Sequence, residues 1–159
     1  MWQDLIDTLD KLGGVYDDLA KLGERKHAAL VSVDMQKLSA ILDEEKLFTT
    51  KIQELEQNRI ELFNDLSKNI NLNESKTANA FYLSAPLPAQ EKLFNSHERL
   101  IKNVQRALKI RDDNQVLAQV ALDATQVRLN KLGGASVEPT YSGKGSDIVT
   151  HKKNFDFMA

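Results

Sequence analysis

The chain has no cysteine, only 3 prolines and 7 glycines, and aromatic residues make up just 6% of its 159 residues. Without cysteine there can be no disulfide, no thiolate metal site and no cysteine nucleophile, and the composition is compatible with a reducing cytoplasm. Sparse proline and glycine leave few turns, which favours a few long helices over many short strands. No apolar run approaches the roughly 18 residues needed to span a bilayer. The N-terminal residues Met1 to Asp7 offer neither the basic nor the apolar region of a secretory signal. A soluble, cytoplasmic protein without stable membrane insertion is expected. An excess of positive charge is missing too: 21 Lys and Arg stand against 23 Asp and Glu, a net charge of −2. That is a poor profile for neutralising a run of phosphates, so nucleic acid is not expected as a partner.

What is present is charge and leucine in helical phase. Hydrophobic residues form 42% and charged residues 28% of the chain, enough for one folded domain. Leu5, Leu9, Leu12, Tyr16 and Leu19 recur in steps of three and four, one face of a helix. Gly13 and Gly14 lie inside this stripe without changing its phase, so a continuous helix, locally softened, is expected to about Val31. Asp34 can cap a second helix, whose seam is Leu38, Ile41, Glu45, Phe48, Ile52, Leu55, Arg59, Leu62 and Leu66. Such sustained heptads indicate coiled-coil-like packing, ending near Ile70. A short helix carrying Ala78, Phe81 and Tyr82 follows, closed by Pro86 and Pro88. The third long helix is expected from about Pro88 to Leu132, with Phe94, Ile101, Leu108, Gln115, Leu122 and Leu129 in sevens and a polar layer at Arg111, Asn114 and Gln115.

Between Asp34 and Asp65 acids outnumber bases 8 to 4, whereas between Lys92 and Arg111 bases outnumber acids 6 to 1. Opposite charge predicts that the second and third long helices lie side by side. The fold class expected is all-α: an elongated antiparallel bundle of three long helices plus a short helix, with coiled-coil-like packing. The bundle domain would cover residues 1–134 and a flexible C-terminal tail residues 135–159.

Catalytic patterns are scarce. Glu24 and His27 share a helical face, but a di-iron bundle needs two such pairs and further inward glutamates; a solvated helix face is the better reading. His97 lies in an apolar stripe and reads as a core-edge residue with a hydrogen-bond partner. Ser142-Gly-Lys-Gly-Ser146 lacks the first glycine of a phosphate loop and reads as linker. No enzyme activity, cofactor or metal site is expected. What remains is an interaction protein whose candidate contacts are Leu122, Leu129, Ile148, Val149, Phe155, Phe157 and Met158. Five of these follow the breaks at Gly133, Gly134, Pro139, Gly143 and Gly145. A tail that orders on a partner explains them; a clip packing back on the bundle is the competing reading. A second class of reading is a structural coiled-coil module, a homodimer with Glu45 and Arg59 as polar seam layers.

The order of motifs adds to this. Ala29-Leu30 and Asp34 precede Leu38, Ile41-Leu42, Lys46, Ile52, Leu55-Glu56 and Arg59. A long helix with Asn114 in mid-course, a Leu132-Gly133 stop and Tyr141-Ser-Gly-Lys-Gly145 then follow. In that order the chain resembles the FlgN-type flagellar export chaperones. One departure is Lys26, where the family commonly has glutamate. The resemblance implies a cytoplasmic, type III secretion-associated chaperone that keeps hook-associated (hook–filament junction) proteins unpolymerised and delivers them to the flagellar export apparatus. It also implies substrate binding by the C-terminal region, which needs neither nucleotide nor metal; a monomer or weak homodimer is expected.

Overall fold

The structure is a computed structural model and describes residues 1–70 and 77–133. The described chain is helical: α1 (Trp2–Val31), α2 (Met35–Ser67), the short α3 (Ala78–Leu83) and α4 (Leu87–Gly133). The three long helices and the short one stand as the periodicity predicts. Asp34 caps α2, accepting from the Lys37 amide at 3.1 Å, and Thr77 caps α3 through the Ala80 amide. Pro88 falls within the first turn of α4, where its missing N–H costs nothing.

Two bonds fix the direction of each pairing. Asn58 of α2 donates to Thr8 and Arg25 of α1 reaches Glu44, so α1 and α2 run antiparallel. Asn103 donates to the Gly13 carbonyl and Asn114 to that of Gly23, so α1 and α4 run parallel. The bundle is therefore up, down, up, with α1 packed against both long partners.

Here the charge argument is corrected. The ion pairs that cross between helices join α1 to its neighbours: Arg25–Glu44 and Lys26–Glu45 to α2, Arg106–Asp17 and Arg106–Glu24 to α4. Among the described residues no ion pair joins α2 to α4. Helix α1 carries charges of both signs along its flanks and so satisfies each partner separately. Glu45 and Arg59 also find partners inside the chain, in Lys26 and in Glu56.

The core is uneven along the bundle. The larger cluster sits where α1 begins, α2 ends and α4 begins, and includes Leu5, Leu9, Leu12, Leu66, Phe81, Leu93 and Leu100. Helix α3 plugs this end. Phe81 is fully buried, 4.4 Å from Phe63 and 5.2 Å from Trp2 between ring centroids. The far end is thinner: Leu22, Ala29 and Ile41, with Leu38 and Phe48 packed against them.

Candidate partner-binding face

The thin end is built around the α1–α2 turn. The Asp34 amide bonds the Ala29 carbonyl and the Val33 amide bonds that of Leu30, the paired bonds of a Schellman motif. Its left-handed position holds Val33 at φ 54°, where glycine is usual and a β-branched residue is strained. Val31, Val33 and Met35 are all exposed, Val33 by 68%.

Leu30 and Ala118 line one groove. Gly23 faces Asn114 across the parallel α1–α4 seam, so α1, which ends at Val31, stops level with about residue 122. Helix α4 continues to Gly133, a further ~16 Å at 1.5 Å per residue. Along this stretch Leu129 and Leu132 are exposed, by 58% and 80%, and Val116 and Val120 are exposed just before it. Of the sequence-predicted contacts, Leu122 is half-buried and Leu129 is exposed. Ile148, Val149, Phe155, Phe157 and Met158 lie outside the described residues.

The groove itself was not foreseen from the sequence. It encloses about 320 Å³ between α1, α2 and α4, lined by Leu30, Leu38, Leu42 and Ala118 together with Lys26, Arg111, Asn114 and Gln115. Val116 and Val120 were missed for a simpler reason: they lie off the sevenfold stripe, although two valines within about one and a half turns of the polar layer were visible as apolar residues without a stripe.

The polar groups have partners of their own. Asn114 is buried; its amide donates to Gly23 at 2.8 Å. Its Oδ1 must then accept, so His27, 3.1 Å away, carries its proton on Nδ1. Arg106 bridges Asp17 and Glu24 at 3.1 and 2.7 Å. The hydrogen bond to Glu24 raises the guanidinium pKa, and the bond from Lys21, aided by Arg106, lowers that of Asp17. Glu24 and His27 thus face different partners. At the other end, the Tyr82 hydroxyl lies 2.9 Å from Nδ1 of His97. Burial, and secondarily Arg59, lowers the His97 pKa, while burial raises that of Tyr82. The core-edge reading of His97 agrees with this contact. Among the described residues no three His, Asp or Glu side chains converge as a metal site would need. No helix there is long and apolar enough to cross a membrane. The arrangement offers apolar contact surface framed by satisfied polar groups.

The family model described as FlgN protein matches residues 1–147, nearly the whole chain. The chain belongs to the FlgN family. Comparison with curated proteins and with solved structures gives no match. FlgN proteins form a family of flagellar chaperones, not of enzymes, and membership carries flagellar proteins as the general class of partner. The match spans the groove, Leu122 and Leu129, and stops one residue before Ile148.

Proposed function

We propose that this protein is a cytoplasmic chaperone of flagellar type III export that binds hook-associated proteins and prevents their premature assembly. The contact is made by the end of α4 and the tail: Leu122, Leu129, Ile148, Val149, Phe155, Phe157 and Met158. Residues 1–134 act as the bundle domain and 135–159 as the substrate-binding segment. The observation that carries the reading is the apolar end of α4, with Leu129 and Leu132 exposed beyond the level where α1 stops. A helix presenting such a stripe covers the apolar face of a partner's terminal helix without nucleotide or metal. The export apparatus then receives the complex.

Deletion of residues 136–159 tests this in a pull-down with hook-associated proteins. Helical circular dichroism from the bundle is retained and binding is lost; undiminished binding by the truncated protein overturns the tail assignment. Leu129→Asp, at an exposed position, leaves the helical signal unchanged and weakens binding about tenfold, equivalent to about 1.4 kcal/mol. The second reading is a homodimeric coiled-coil module built on the α2 seam, where Phe48, Ile52, Leu55 and Leu62 are half-buried on the two cores; sedimentation as a concentration-independent monomer removes it.

A further inference from the structure

We propose that the groove between α1, α2 and α4 is the docking site of this chain's own C-terminal segment, with Phe155 and Phe157 as its occupants. The free protein then holds its tail against the bundle and gives it up to a partner. The docking rests on the groove and on chain length; its regulatory consequence rests on the chaperone reading above.

Three observations point to this occupant. The groove is small, about 320 Å³, at the lower end of sites that enclose a ligand. It accommodates one or two aromatic side chains and not the face of a folded partner. Its walls are apolar at Leu30, Leu38, Leu42 and Ala118, with Lys26 and Arg111 beside them. The segment Phe155-Asp156-Phe157-Met158 offers apolar rings around one carboxylate. Lys26 and Arg111 are already held by Glu45 and Asp112, at 3.2 and 3.0 Å. Charge therefore orients the segment, and burial of the rings provides the attraction.

Reach decides between this segment and a separate molecule. Helix α4 ends at Gly133, about 22 Å along the helix from Ala118 at 1.5 Å per residue. From Gly133 to Phe155 is about 22 residues, and a glycine-loosened chain of that length has an r.m.s. span of ~26 Å. A tether whose r.m.s. length matches the distance to its site gives the highest effective concentration, in the millimolar range for short linkers. A segment with weak intrinsic affinity is held under those conditions, and a tighter-binding partner displaces it. The segment lies beyond the family match, which ends at residue 147, so the device belongs to this chain's own tail.

The chain has no native cysteine, so Ala159→Cys gives a single site for a nitroxide label on the full-length protein. In dilute solution the methyl resonances of Leu30, Leu38 and Leu42 lose most of their intensity, while those of Leu5 and Leu9 at the plugged end keep theirs. Phe155→Ser combined with Phe157→Ser, outside the bundle, restores the groove signals. Loss of signal at neither end, or equally at both, overturns the proposal. So does broadening that requires a mixture of labelled and unlabelled copies, which would make a second copy the occupant. Adding a hook-associated protein restores the methyl signals; binding of that protein with the groove still broadened overturns the release step. If the groove signals respond as expected but no hook-associated protein binds, the docking stands and the chaperone reading falls.

Discussion

The side-chain amide of Asn114 lies 2.8 Å from the carbonyl oxygen of Gly23, across the α1–α4 seam. Eleven residues earlier in α4 the same bond recurs, with Asn103 donating to Gly13 at 2.8 Å. At Gly23 the absence of a side chain on α1 is what lets α4 come this close, whereas at Gly13 a Cβ would sit at ordinary contact distance, 3.8 Å from the Leu100 Cα. These two bonds fix the register of a parallel pair that leucine packing alone would leave free to slide.

The glycines of α1 should therefore differ sharply in their tolerance of a methyl group. A Cβ on Gly14 meets nothing within 4 Å, so Gly14→Ala stabilises the protein by about 0.5–1 kcal/mol through helix propensity and a less flexible unfolded chain. A Cβ on Gly23 would lie 2.5 Å from Ile110 Cγ2, forcing the seam apart. Gly23→Ala loses about 1–3 kcal/mol to overpacking, more than propensity returns. Urea denaturation of the two variants measures the contrast, and equal shifts of the same sign would refute the seam argument.

Val33 occupies the left-handed position of the α1–α2 turn at φ 54° and is 68% exposed. Little burial is lost by removing its side chain, while the left-handed conformation costs an L-residue about 1–2 kcal/mol. Val33→Gly is expected to raise stability by about 0.5–1 kcal/mol, read as a higher thermal midpoint. A drop in midpoint would show that Val33 makes a contact more valuable than the strain it carries.

His97 sets a pH dependence. Its folded pKa lies below the ordinary 6.5, chiefly because burial disfavours the charged ring. The unfolded chain then binds the extra proton first, so stability falls as pH drops below 6.5 and levels off beneath the folded pKa. Between pH 7.5 and 5.5 the native protein should lose stability that a His97→Gln variant retains. Parallel curves for the two proteins would remove His97 from the account.

Much of this architecture can be read from residue spacing. Leu5, Leu9 and Leu12 mark the buried face of α1, and Ile41 and Leu66 that of α2, because a 3.6-residue period is local information. Asp34 announces the α2 cap for the same reason. The pairing of helices could not be read in this way. Net charge between residues 92 and 111 pointed α4 toward α2, yet Arg106 turns to Asp17 and Glu24 of α1. A sum over a segment does not say which face each charge occupies. Gly13 and Gly14 were legible as soft points, but the close approach at Gly23 was not, since it depends on Ile110, nearly ninety residues away.

The candidate site divides along the same line. Leu129 was identifiable as an apolar residue near a helix end, and the structure places it on an exposed face. The groove at Leu30, Leu38, Leu42 and Ala118 comes from three helices, and no single stripe foretells a space between them. By itself the sequence determined the helices, their caps and their apolar faces, because those follow from neighbours within a turn or two. Only the tertiary structure decided that α1 takes both partners, where asparagines lock the register, and that the far end stays thin enough to leave a groove. Those features depend on distances between residues remote in the chain.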